Sequence, residues 1–141
     1  IKWPGVTKHN TVLNMPVSNT DVYPTILSML GIERSNDDQL AGKDLTPALK
    51  QEGISTSPVF AQYNMENFGK AQLRMVRFGD YKMVKKFGLN ANSELLDELY
   101  NVAVDPGEEH NLIADPDYDE MIGTLEMYIR DWMVGINDPA L

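Results

Sequence analysis

Residues 72–87 read Gln72-Leu73-Arg74-Met75-Val76-Arg77-Phe78-Gly79-Asp80-Tyr81-Lys82-Met83-Val84-Lys85-Lys86-Phe87. Two stretches in which apolar and polar side chains are interleaved flank Gly79-Asp80, and a Gly-containing pair between such stretches signals a two-residue β-hairpin. A loop of that length sets Phe78 opposite Tyr81, Val76 opposite Met83 and Met75 opposite Val84. Side chains alternate across a strand, so one face carries Val76, Phe78, Tyr81, Met83 and Phe87, and the other carries Leu73, Met75 and Val84. Both faces are partly apolar. One helix covers only one of them, so the hairpin predicts a sheet that is covered on its second face from outside this stretch.

Working outward, Val59-Phe60-Ala61-Gln62-Tyr63 reads as a strand that leads into a loop from Asn64 to Lys70. Downstream, Glu98 to Leu112 combines a short strand with an acidic turn, in which Pro106-Gly107 offers one fixed and one permissive dihedral. The last element is a long helix: Asp115 caps it, Pro116 takes its first position, Asp117 and Asp119 sit at the positive end of its dipole, and Gly135 follows. Its apolar stripe is Tyr118, Met121, Ile122, Leu125, Tyr128, Ile129 and Trp132, the pattern of a core-facing helix rather than of a cofactor box.

Two helix starts precede the strands, Asp21-Val22-Tyr23-Pro24 and Asp44-Leu45-Thr46-Pro47, each with an Asp at the cap and a Pro in the first turn, where its missing amide costs nothing. The first helix is expected to carry Tyr23, Ile26, Leu27 and Leu30 on one face and to stop at Gly31; the second is expected to end near Gly53. The small polar run from Gly53 to Pro58 reads as a linker, which sets a boundary between residues 1–53 and 54–141.

The chain has 141 residues, enough to bury a real core, and opens on Ile1-Lys2-Trp3-Pro4-Gly5 without an initiator Met, so it reads as cut from a longer polypeptide. It holds no cysteine, which removes disulfides, thiolate metal sites and cysteine nucleophiles from these residues. No stretch approaches the roughly 18 apolar residues of a membrane span. The net charge of −9 argues against nucleic acid, whose phosphates need a basic face. Charge is uneven: residues 94–141 hold 13 acids and the single base Arg130, whereas residues 1–93 hold 8 acids and 11 bases. Lys70, Arg74, Arg77, Lys82, Lys85 and Lys86 cluster with only Asp80 among them, and are read first as solvated strand edges partly neutralised by the acidic tail.

No Gly-rich phosphate loop, Gly-x-Ser-x-Gly elbow or Cys/His zinc spacing occurs. His9 reads as an exposed loop residue, His110 as part of a structural turn, and Asp37-Asp38 as solvated acids. Asn64, Glu66 and Arg74 are the candidate substrate-binding residues, because they fall where a rigid sheet presents side chains toward a neighbouring site. No catalytic residue and no metal ligand is assigned within the chain.

Several runs resemble, in order, the C-terminal part of sulfatases of the alkaline-phosphatase-like superfamily: Lys2-Trp3-Pro4-Gly5; Val17-Ser18-Asn19-Thr20-Asp21-Val22-Tyr23-Pro24-Thr25; Leu40-Ala41-Gly42-Lys43-Asp44-Leu45; Arg74-Met75-Val76-Arg77 with Gly79 and Tyr81-Lys82; and the strand and turn ending Asp105-Pro106-Gly107-Glu108-Glu109-His110-Asn111-Leu112. The resemblance implies an α+β fold: an antiparallel sheet of about four strands covered by the long C-terminal helix, residues 54–141, preceded in residues 1–53 by a strand-helix remnant of the α/β catalytic domain. It implies sulfate ester or sulfamate hydrolysis by a formylglycine nucleophile with a divalent cation, usually calcium. The nucleophile and cation ligands belong to the N-terminal catalytic domain, which becomes the implied partner, and a sulfated small molecule or glycan the implied substrate. The fragment alone is expected to be inactive and, in the whole enzyme, to close one side of the substrate cleft. A periplasmic, secreted or lysosomal setting would be usual for the family. Two other readings stay open, a phosphonate or phosphate ester hydrolase of the same superfamily and a non-catalytic carbohydrate-binding module.

Overall fold

The computed structural model describes residues 1–33, 42–53, 57–65, 71–87 and 96–141. These form two compact units, Ile1–Ser57 and Pro58–Leu141.

In the first unit, α1 (Val22–Met29) follows a 3-10 turn, Asn19–Asp21, and α2 (Thr46–Leu49) is a single turn. Asp21 stands at the N-cap of α1 as expected, but the side-chain capping is one turn earlier, where Ser18 caps the 3-10 turn. The Ser18 side chain accepts from the Thr20 amide, and Asp21 reaches back to the Ser18 amide at 2.8 Å, a reciprocal capping box. The other Asp21 oxygen is taken by the amide of Lys43 at 2.8 Å, so this buried carboxylate ties the helix entrance to a segment 22 residues away. Gly42 lies so close to that entrance that a Cβ would stand 2.0 Å from the Thr20 carbonyl oxygen.

The buried residues of α1 are Pro24 and Thr25, and the expected apolar face points outward: Tyr23 is 56%, Ile26 46% and Leu30 68% exposed. Thr25 explains the inversion, since its hydroxyl donates to the Asp21 carbonyl and accepts from the amide of Leu45 at 3.0 Å, which turns the polar side of the helix inward. The end of α1 matches expectation: Gly31 adopts φ +68, and the amides of Gly31 and Ile32 return to the carbonyls of Ser28 and Leu27. Asp44 opens α2 by accepting from both the amide and the hydroxyl of Thr46 at 2.8 Å. That helix stops at Leu49, short of Gly53, and Gln51 beyond it has φ +65. Among the described residues of this unit the regular elements are the 3-10 turn and the two helices.

The second unit is the expected antiparallel sheet, in the order β1 (Val59–Met65), β2 (Ala71–Phe78), β3 (Tyr81–Phe87), β4 (Glu98–Asn101). The register is the one the two-residue loop demands, with Phe78 opposite Tyr81, Val76 opposite Met83 and Met75 opposite Val84. Gly79 alone of the loop pair has positive φ, +57, as in hairpin turns that place glycine at the first central position. The first strand runs further than expected, so Asn64 lies within β1, paired with Gln72, rather than in the loop.

A 3-10 turn, Pro116–Tyr118, leads into α3 (Asp119–Gly135), and the Asp115 side chain caps that turn through the amide of Asp117. Val76, Met83 and Leu99 from the sheet meet Leu125, Ile129 and Met133 from α3, each at most 1% exposed. Tyr118, Met121, Ile122, Tyr128 and Trp132 of the expected stripe pack around that core, with Phe60 stacked on Trp132 at 5.0 Å and Phe78 edge-on to Tyr128 at 5.2 Å. Helix α3 runs through Gly135, and the left-handed residue that ends it is Asn137, φ +51, with Asp138 donating to the carbonyl of Met133.

The turn after β4 is held by Asp105, whose carboxylate accepts from the amides of Glu109 at 3.1 Å and His110 at 2.9 Å. These bonds require the reversal at Glu108, which takes φ +55, so the permissive dihedral lies one residue beyond the Gly107 where it was expected. Asn111 completes the turn by accepting from the amides of Leu99 and Ile113 and donating to the Asp97 carbonyl.

Candidate functional site

The candidate site grows from one charged residue in the middle of a strand. Arg74 of β2 shares the helix-covered face with Val76 and is 0% exposed. Its Nε donates to Asp138 Oδ2 at 2.5 Å and its Nη2 to Oδ1 at 2.7 Å, a two-pronged pair that matches the planes of guanidinium and carboxylate. Its Nη1 donates to Asn64 Oδ1 at 2.8 Å and to the Leu73 carbonyl at 2.9 Å. The Arg74 hydrogen bonds hold the Asp138 carboxyl below the usual carboxylate range, against the opposing effect of burial. The Ala140 amide adds a further bond to Asp138 Oδ1 at 2.9 Å.

Of the three candidate substrate-binding residues, the structure thus brings Asn64 and Arg74 together, with Asn64 exposed and Arg74 enclosed. The guanidinium faces inward onto Asp138 rather than outward from the sheet, because a buried cation requires a counter-charge. Glu66 lies outside the described residues, as do Lys70 and the Asp37-Asp38 pair. Asp138 escaped the sequence reading. Its only signal is an acid immediately after a helix end, and its partner is 64 residues away.

Of the remaining cations of the hairpin, Arg77 donates Nε to the Gly79 carbonyl at 3.4 Å, and the three lysines meet acids of the C-terminal half. Lys82 pairs with Glu108 at 2.6 Å, Lys86 with Glu98 at 2.6 Å, and Lys85 with Glu126 and, at 3.4 Å, with Asp97. Burial pulls the Lys85 ammonium down, and the hydrogen bond and charge of Glu126 together with Asp97 more than offset it, so its pKa stands above the ordinary value. The basic cluster is therefore largely neutralised within its own unit, as the uneven charge distribution predicts.

His110 is 80% exposed on its side chain, with Nδ1 3.7 Å from Asp105, in keeping with a structural turn. Among the described residues no group of three or more His, Cys, Asp or Glu side chains is placed to hold a metal ion. In the first unit, Lys43, Met15, Leu45 and Pro47 are among the residues that line a hollow of about 270 Å³, and the Lys43 ammonium is buried without a hydrogen-bond partner among the described residues.

Comparison with known proteins places this arrangement. Residues 1–134 match the family model described as N-sulphoglucosamine sulphohydrolase, C-terminal. The chain is 26% identical to an ulvan-active sulfatase of Formosa agariphila over 97% of its own length and 32% of that relative. It is 31% identical to a Δ4,5-hexuronate-2-O-sulfatase of Bacteroides thetaiotaomicron over 84% of its length and 24% of that relative. It therefore spans about a third or less of these two relatives. Among solved structures, one described as a complex with its substrate D-glucosamine-2-N,6-O-disulfate superposes with a TM-score of 0.66 at 24% identity, covering 85% of this chain and 25% of that one. Another, from work on glycosaminoglycan metabolism by Bacteroides thetaiotaomicron, gives a TM-score of 0.75 at 18% identity over 97% of this chain and 30% of that one. At those identities the structures speak for the fold, and the family model speaks for descent: this chain belongs to the sulfatase family and corresponds to its C-terminal portion.

Proposed function

We propose that the chain is the C-terminal portion of an enzyme that hydrolyses sulfate esters or sulfamates, and that it supports the catalytic domain and closes one side of the substrate cleft. The family match over residues 1–134 carries this reading. In it, the formylglycine nucleophile and the calcium ion belong to the part of the enzyme outside these residues, where they would supply covalent attack on sulfur and orientation of the sulfate. Asn64 and Glu66, with the enclosed Arg74 bonded behind Asn64, form this portion's contribution to the cleft wall, and a sulfated small molecule or glycan is the ligand. The 141-residue chain alone has no turnover.

The test compares the purified chain with the product of the complete reading frame that encodes it, each given 4-nitrophenyl sulfate and a panel of sulfated sugars with calcium. Turnover is expected from the complete protein only. Hydrolysis by the 141-residue chain would refute the division of labour, and a complete protein inert toward every sulfate ester would refute the activity.

A further inference from the structure

The Arg74 guanidinium has N–H donors and no acceptor, so it dictates which end of the Asn64 amide it meets. Oδ1 faces Nη1 of Arg74 at 2.8 Å, and the Nδ2 group, with its two N–H donors, is directed away from the guanidinium. Asn64 is exposed, and no partner for Nδ2 is found among the described residues. Arg74 has no freedom to turn toward a ligand of its own, since it is 0% exposed and three of its nitrogens are engaged by Asp138, Asn64 and the Leu73 carbonyl. Asp138 is fixed in turn by the Ala140 amide and by its own amide on the Met133 carbonyl. The orientation of one exposed amide is thus set by a chain of bonds that runs from the end of α3, through β2, to β1.

We infer that Arg74 is a positioning residue and that Asn64 is the residue that meets the ligand, presenting Nδ2 as a donor to an oxygen acceptor of the sulfated sugar. This rests on the sulfatase reading and deepens it by giving the site a polarity. A sulfate, carboxylate or hydroxyl oxygen is accepted at Asn64, whereas a protonated amine at the same place meets only donors. The arrangement also separates two properties that usually change together. Aspartate at position 64 would keep an oxygen on Arg74 and replace the outward donors with a negatively charged acceptor, so it retains the scaffold contact and reverses the polarity toward the ligand.

The experiment uses the product of the complete reading frame, with 4-nitrophenyl sulfate as a substrate that has no sugar and, from the panel, the sulfated sugar with the highest kcat/KM. Asn64→Asp is expected to raise KM for the sugar by about tenfold or more with kcat within about threefold, and to raise KM for the aryl sulfate by a clearly smaller factor. Its melting temperature is expected to match that of the parent. Asn64→Ala raises KM for the sugar by a smaller factor, and Arg74→Lys, which cannot hold Asn64 and Asp138 together, follows Asn64→Ala if it folds. An unchanged sugar KM in Asn64→Asp, or an equal effect on both substrates, overturns the inference while leaving the sulfatase reading intact. Absence of turnover of any sulfate ester by the parent removes that reading, and the inference falls with it.

Discussion

Arg74 and Asp138 show how differently a single residue reads in sequence and in space. A charge set among the alternating apolar residues of β2 stands out from the primary structure, and by itself it reads as a residue aimed at a ligand. Nothing local announces that its counter-ion lies 64 residues on, because that pairing exists only once α3 has crossed the sheet. The pair is fully enclosed, so removing one member leaves an uncompensated charge in the core. Asp138→Ala is therefore expected to cost about 3 kcal/mol in urea unfolding at pH 7, with much of the loss recovered in Arg74→Met/Asp138→Leu. The folded carboxyl has its pKa depressed mainly by Arg74, so its contribution is complete above the unfolded value, near ~4, and is lost as pH falls through the lower folded value. Urea midpoints measured between neutral and strongly acidic pH should fall more steeply for the parent than for Asp138→Asn; parallel profiles would contradict this role.

At the scale of elements, legibility follows the range of the interactions that define each one. The β2–β3 register was readable because a two-residue loop determines it locally, and α3 was readable because a cap, a first-turn proline and seven apolar positions agree. Asp21 stands at the cap of α1 as the sequence predicts, but its carboxylate is drawn to the amides of Ser18 and Lys43 rather than to the first turn, and the Lys43 partner is one that spacing does not reveal. The buried face of α1 was misread for a related reason: periodicity identifies the apolar side of a helix without identifying what that side meets. The ends of α3 offer a direct test. Asp115→Ala removes the bond to the Asp117 amide and is expected to cost about 1 kcal/mol. Asn137→Gly relieves the left-handed φ of +51 and is expected to add a few tenths of a kcal/mol. Thermal unfolding of the two variants should move in opposite directions, and shifts of the same sign would show that the helix ends are governed by other contacts.

For the molecule as a whole, the apolar surface left in the open is the feature that composition alone does not explain. Val22, Tyr23, Ile26 and Leu30 are all at least 46% exposed on one short helix, and the half-buried Leu73, Met75 and Val84 lie on the sheet face opposite α3. The hairpin reading anticipated this demand for cover on both sides of the sheet, and a chain that spans 24% to 32% of its relatives accounts for it if the covering surface belongs to the catalytic domain. Under that proposal, substitutions on α1 should be silent in one context and damaging in the other. Ile26→Ser and Leu30→Ser remove apolar groups that already face water in the 141-residue chain, so each is expected to change its stability by no more than about 0.5 kcal/mol. In the complete protein each would leave a polar group in a buried apolar contact, at a cost of about 1–3 kcal/mol. Urea midpoints of the matched pairs decide the matter: a small effect in both proteins would show that α1 stays exposed in the whole enzyme, and a large effect confined to the complete protein would show that the catalytic domain covers it.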